Sequence, residues 1–246
     1  LLLGYDITTL GRQVAEMQEM LRISRLDPHR LWLYEGSDDR MDATSDVFGS
    51  ARRAFHLARY EFAAQHVADQ VVADIACGTG YGSELLHLQG KARRVMGMDL
   101  DAEAVGYARA KHMPAAVEFL HGSGDHTGLP AHNVDVVVSF ETIEHVPDDA
   151  ALLAEFHRIL RPAGLLICST PNQWPIAMCP GHVRTYDLDT FRQVLSRQFE
   201  VVEFYNQNSG TDSPYNHGQP AGIVRTTPAN AATAECLIAV CRARVS

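Results

Sequence analysis

The chain has 246 residues and a mass of 27.1 kDa, enough for one domain of ordinary size or one with a small appendage. Its composition, 46% hydrophobic and 21% charged with 18 glycines and 11 prolines, excludes collagen-like and low-complexity classes. Lys+Arg 21 against Asp+Glu 30 gives a net charge of -9, an acidic surface that repels phosphate backbones, so a nucleic-acid partner is not expected. No run approaches the ~20 apolar residues of a membrane span. The opening LLLGYDITTL, which starts without Met, lacks the basic and long apolar regions of a secretory signal. Five cysteines (Cys77, Cys168, Cys179, Cys236, Cys241) with no CxxC pair argue against a disulfide framework or a cysteine zinc site and fit a reducing, cytoplasmic setting.

In chain order, residues 1–69 read as a helical segment on the lid or substrate side. Leu10, Val14, Met17, Met20 and Leu21 recur at helical spacing, as do Phe55, Ala58 and Phe62. Residues 35–46, EGSDDRMDATSD, read as a polar, mobile connection. Residues 70–246 form the main domain. Strands are predicted over 71–75, 94–99, 116–121, 134–140 and 165–170, with helices over 102–112 and 151–160 between them. The nearly unbroken apolarity of VVVSF and LLICS fits strands covered on both faces, so the fold class is α/β, doubly wound and Rossmann-like. A helix over 189–198 and strands over 199–205 and 236–241 follow. The 206–234 stretch holds only Asp212 and Arg225 as formal charges and reads as a lid, a contact surface or an irregular connection.

The segment VVADIACGTGYGSELL (71–86) runs a strand into Gly78, Gly80 and Gly82 and then a helix. Glycines at alternate positions let main-chain N–H groups approach a ligand where a Cβ would clash. Asp74, four residues before Gly78, would oppose a pyrophosphate and favour a cationic ligand. Asp99, nineteen residues after Gly80, stands where an α/β nucleotide site takes both ribose hydroxyls on a carboxylate. A nucleoside with a cationic tail describes S-adenosylmethionine. A nicotinamide-dependent oxidoreductase on the same turn is the rival reading, disfavoured by Asp74 and by GxGxG in place of GxGxxG.

With DIACGTGYG, MDLD, GSGDHTGLPAHNVDVVVSFETIEHV and LRPAGLLICSTPN in this order, the sequence resembles the class I S-adenosylmethionine-dependent methyltransferases over roughly residues 57–190. The resemblance implies a seven-stranded sheet with its last strand, 236–241, inserted antiparallel. It also implies that Asp74 and the main chain of Ala76, Gly78 and Gly80 hold the methionine portion, that Asp99 takes the ribose, and that Leu100 packs on the adenine. Asp125 would bond the adenine amino group, with Gly124 and His126 lining that edge, and the Phe140 carbonyl would take the methionyl ammonium. Simpler readings stay open: Asp74, Asp99 and Asp125 as cap or turn residues, Leu100 and Phe140 as core. His56, Arg59 and Tyr60 share one helical face, from which Arg59 could reach the methionine carboxylate or simply face solvent.

Methyl transfer to an amine or hydroxyl needs a group to take a proton. His145, just beyond the fourth strand, is the leading base and His182 the alternative, though His145 could equally bond a turn. Glu141 and Glu144 could orient the base or hold a substrate cation, and Arg184 and Tyr186 fall where relatives build the acceptor side. Asp187 reads as a helix N-cap. No HExxH or tight ligand cluster is visible, so no metal is expected. The fourth strand ends SFET, without the (D/N)PPY of base and glutamine amino-methylases and without a Pro-Cys nucleophile. The acceptor expected is a small molecule, an amino sugar or hydroxylated natural product of the antibiotic-pathway type, with no nucleic acid or membrane partner and with a homodimer left open. A non-catalytic S-adenosylmethionine-binding subunit is a third reading.

Overall fold

The computed structural model describes Leu33 and residues 41–112, 114–179 and 181–244. The helical recurrence from Leu10 to Leu21 lies outside the described residues, as does the 35–40 part of the polar connection. Eight strands form one sheet: β1 (Val71–Ile75), β2 (Arg94–Asp99), β3 (Val117–His121), β4 (Val134–Phe140), β5 (Leu160–Pro171), β6 (Phe199–Asn208), β7 (Gly222–Arg225) and β8 (Cys236–Ala243). Their spatial order is β3-β2-β1-β4-β5-β8-β6-β7. β1 to β5 are mutually parallel, and β8 enters antiparallel between β5 and β6.

Among the described residues, five α-helices cover the sheet: α1 (Ser50–Ala64), α2 (Tyr81–Leu88), α3 (Ala102–Lys111), α4 (Asp149–Ile159) and α5 (Leu188–Leu195). The strand period of two divides the apolar residues between two cores. Val72, Val136 and Val138 join the core that includes Tyr60, Leu86 and Val105 of α1 to α3. Ala73, Val137 and Cys168 join Leu152, Phe156 and Phe191 of α4 and α5 on the other face. Runs such as VVVSF are apolar throughout because both their faces are buried. Aspartates start three of these helices: Asp101 accepts from the Glu103 N–H, Asp148 from the Ala151 N–H, and Asp187 forms a reciprocal box with Thr190.

The sheet has one strand more than the family pattern implies. The eighth, β7, comes from the stretch read as an irregular connection, and it pairs antiparallel with the end of β6. Asparagines make that stretch self-supporting. The Asn206 amide donates to Asn230 O and the Asn216 amide to Thr211 O and Gln219 O, so the turns satisfy their own carbonyls. The 41–44 segment also departs from the reading as a mobile connection. Asp42 is buried and accepts from the Tyr107 hydroxyl at 2.7 Å and from His112 Nε2 at 3.0 Å, while the Thr79 hydroxyl donates to Met41 O at 2.6 Å. His112 Nδ1 lies 2.8 Å from Glu84. The segment is thereby strapped to both helices that flank the glycine turn.

Candidate active site

β1 ends at Ile75, and the chain then turns through three left-handed residues, Ala76 (φ 61°), Gly78 (φ 54°) and Gly80 (φ 88°). Gly78 and Gly80 are needed for different reasons. A Cβ on Gly80 would stand 2.6 Å from Ala108 Cβ and 2.7 Å from the Phe119 ring, so this glycine lets α2 close onto α3 and β3. A Cβ on Gly78 would meet no atom within 4 Å. Its outer side is open space, which a ligand can approach to main-chain contact.

That space belongs to a cleft of about 340 Å³ at the C-terminal ends of the parallel strands, lined by residues that include Ala76, Gly78, Asp99, Phe140, Glu141 and His145. Ligands of open α/β sheets bind at this end. Asp99 closes β2. Its Oδ2 accepts from the Gly78 N–H at 2.7 Å and its Oδ1 from the Asp101 N–H at 2.9 Å, which fixes the carboxylate and leaves each oxygen a lone pair. Burial pushes its pKa up, and these main-chain donors work against that. Beyond it, Leu100 is 70% exposed. The turn at 123–126, closed by the His126 N–H to Ser123 O, is held beside Asp99 by the Gly122 N–H to Asp99 O bond. Gly124 backs onto Ile75 and Leu152, while Asp125 and His126 are exposed.

Asp74 lies behind the cleft wall, fully buried. Its oxygens accept from the Tyr60 hydroxyl at 3.2 Å and the Ser83 hydroxyl at 2.6 Å, and burial raises its pKa to about 7. The structure therefore sets it as a tie between α1, β1 and α2, with Tyr60 between it and the cleft. Arg59, one residue earlier on α1, is buried at the rim. Its Nη1 pairs with Glu141 Oε1 at 2.8 Å, and its Nη2 lies 3.2 Å from His56 Nδ1. Burial opposes the Arg59 charge, but Glu141 together with Cys236 and Tyr81 raises the pKa on balance. Glu141 is itself left-handed (φ 51°), an uncommon state for a glutamate. It is held there by Ser169, whose hydroxyl donates to Oε1 at 2.6 Å and accepts from the Glu141 N–H at 3.2 Å. Strain so held is characteristic of ligand sites. The Phe140 carbonyl accepts from the Thr142 hydroxyl at 3.0 Å, and its ring stands edge-on to Tyr60.

The remaining candidate residues follow β4. Glu144 is buried; its Oε2 accepts from the Thr170 hydroxyl at 3.1 Å. Burial, reinforced by the Glu141 carboxylate, raises its pKa and favours the neutral acid. His145 is exposed, and the ring of His182 stands perpendicular to it at 4.7 Å between centroids. Burial, and then the charge of His145, lower the His182 pKa. Arg184 and Tyr186 are not brought to the cleft. The Arg184 guanidinium donates to Ile143 O at 3.1 Å, to Val146 O, and to Pro147 O at 2.7 Å, while the Tyr186 hydroxyl donates to Asp149 at 2.8 Å. Both long side chains are consumed in clamping the segment that carries His145. Met41, Cys77 and Tyr81 line the cleft without having been singled out in the sequence. Cys77 and Tyr81 stand inside the glycine motif, whereas nothing local marks Met41.

With this geometry in place, the likeness to known proteins is specific. Residues 73–168 match the family model described as a methyltransferase domain. A Mycolicibacterium smegmatis protein described as a probable S-adenosylmethionine-dependent methyltransferase is 40% identical over 126 residues, 51% of this chain and 47% of that one. The malonyl-[acyl-carrier protein] O-methyltransferase of Yersinia pestis is 39% identical over 100 residues, 41% of this chain and 36% of that one. The chain thus spans about half the length, or less, of these curated relatives. Among solved structures, an S-adenosylmethionine-dependent methyltransferase of Thermotoga maritima superposes with a TM-score of 0.62 at 15% identity, covering 79% of this chain and 92% of that one, which establishes the shared fold. Fold, glycine turn and the match over residues 73–168 make this chain similar to the S-adenosylmethionine-dependent methyltransferases, and the cofactor they indicate is S-adenosylmethionine. Among the described residues no helix is long and apolar enough to cross a membrane.

Proposed function

We propose that the chain transfers the methyl group of S-adenosylmethionine to an amine or hydroxyl of a small molecule. The observation that carries this reading is the open main chain at Gly78 facing the fixed Asp99 carboxylate, in the same cleft as His145. Asp99 would take the ribose hydroxyls, and Leu100, Gly124, Asp125 and His126 the adenine edge. The main chain of Ala76, Gly78 and Gly80 would hold the methionine portion, with the Phe140 carbonyl and the Arg59–Glu141 pair at its charged end. Asp74 would act through Tyr60 and Ser83 rather than by contact. Bound there, the cofactor supplies an electrophilic methyl group on a sulfonium.

The residues must then align the acceptor, exclude water and dispose of one proton. Alignment falls to the segment clamped by Arg184 and Tyr186, and the proton to the His145–His182 pair. Residues 1–69 and the 206–234 stretch would cover the cleft. The acceptor of this reading is an amino sugar or a hydroxylated natural product, in contrast to the malonyl group named for the Yersinia relative. Five free cysteines fit a reducing compartment.

Calorimetric titration with S-adenosylmethionine and with NADH tests the reading. We expect one sulfonium ligand bound per chain, no NADH bound, and an affinity lowered about 100-fold in Asp99→Ala by loss of two hydrogen bonds to a charged group. Undiminished binding in that variant, or NADH in place of the sulfonium, overturns it. A mass-shift screen of amines and alcohols then identifies the acceptor.

A further inference from the structure

We infer that Glu144, His145 and His182 form a site for one divalent transition-metal cation, of which Zn²⁺ is the representative, at the acceptor end of the cleft. One ligand atom from each of the three lies within 4.8 Å of the others. Glu144 Oε1 is buried and has no hydrogen-bond partner, although its residue is only 1% exposed. A buried carboxyl oxygen without a partner is costly, and a bound cation would hold this acid ionised in place of the neutral form that burial alone favours. Among the described residues neither imidazole makes a side-chain hydrogen bond, so each ring can present an unprotonated nitrogen.

The three residues come from two separate loops, and the structure locks those loops together. The Val183 N–H donates to Glu144 O at 2.9 Å, setting His182 beside the buried acid. Arg184 pins the carbonyls on both sides of His145. Gly181, at φ 89°, keeps the His145 ring free on one side, since a Cβ there would stand 3.2 Å from its Nδ1. Two imidazoles and one carboxylate are the donor set of borderline first-row cations rather than of Mg²⁺ or Ca²⁺, which take oxygens.

Three protein ligands leave a coordination position open, and His145 lines the cleft, so that position faces the acceptor. An acceptor hydroxyl there would ionise more readily: its O–H bond breaks, the electron pair stays on oxygen under the field of the cation, and the proton passes to solvent. This use rests on the methyl-transfer reading, whereas cation binding itself does not. It replaces proton uptake by a histidine and departs from the metal-free expectation of the sequence.

The test is titration of tag-free, chelator-treated full chain with CoCl₂, followed by visible absorption, and then displacement with ZnCl₂. Expected are one Co²⁺ per chain with ligand-field bands, affinity lowered about tenfold or more in both His182→Ala and Glu144→Gln, and no change in His217→Asn, an exposed control. S-adenosylmethionine affinity, measured on the same samples, should be retained in all three variants and shows that they fold. Failure to take up Co²⁺ or Zn²⁺, or uptake indifferent to both substitutions, overturns the site while leaving the cofactor reading untouched.

Discussion

The two ends of the cleft are built from different material. The end proposed for the cofactor is main chain: Gly78 open to the cleft, Gly80 locked against Ala108 and Phe119, and one carboxylate, Asp99, tethered to the Gly78 N–H. The end proposed for the acceptor is side chain: Glu144, His145 and His182 on two loops that Arg184 joins. The first is specified by backbone conformation and packing, so it cannot change without disturbing the fold. The second hangs from a clamp and can be exchanged while the sheet beneath it stays.

The sharpest way to break this contrast is at Gly80. Alanine there combines a left-handed backbone with overpacking, and we expect about 3 kcal/mol of lost stability together with lost cofactor binding. Denaturant unfolding measures it, and a variant as stable as the parent would show that main chain does not define this end. At the acceptor end, Arg184→Ala should lower kcat by roughly 10–100-fold through misplacement of His145, with cofactor affinity within about twofold of the parent. Equal losses in both quantities would mean that the two ends are one unit.

A smaller effect belongs to the strap over the cofactor end. Burial would raise the Asp42 pKa, but its bonds to His112, Thr44 and Tyr107 bring it down to about 2, and the two carboxylates raise that of His112. The Asp42 contribution is present above its ordinary 3.8 and fades as pH falls toward 2. The His112 contribution is full below 6.5 and fades as pH rises through its raised folded value. The Tm advantage of the parent over His112→Gln should therefore be flat between pH 3.8 and 6.5 and shrink above that window. An advantage that grows at alkaline pH contradicts it. Asp74→Asn tests the tie behind the cleft wall. Because folding holds this carboxyl near pKa 7, the parent should lose stability from pH 3.8 to about 7 and level off above. The asparagine variant should lack that slope, and an unchanged slope would remove Asp74 as its source.

Much of the cofactor end is legible in the sequence because its determinants are local. Strands 71–75, 94–99 and 134–140 fall where the apolar runs place them, and Asp99 follows the glycines at a fixed interval. β7 escapes such reading: four residues that begin on a glycine carry no period, and only pairing with β6 makes them a strand. Arg59 and Glu141, 82 residues apart in the chain, announce no partnership, nor do His145 and His182. Arg184 and Tyr186 read as binding groups by their chemistry, yet unsatisfied loop carbonyls and Asp149 claim them first. Asp42 looks like a turn residue among other acids until α3 supplies its donors.

The strap has a practical corollary. Met41 faces the cleft while its carbonyl holds Thr79 of the glycine turn and its neighbour Asp42 holds Tyr107 of α3. Anything bound in the cleft that touches Met41 thus tightens that grip, and by reciprocity a tightened grip favours the occupant. Protease resistance of the 41–48 backbone becomes a gauge of occupancy that can be read on a gel without knowing the acceptor.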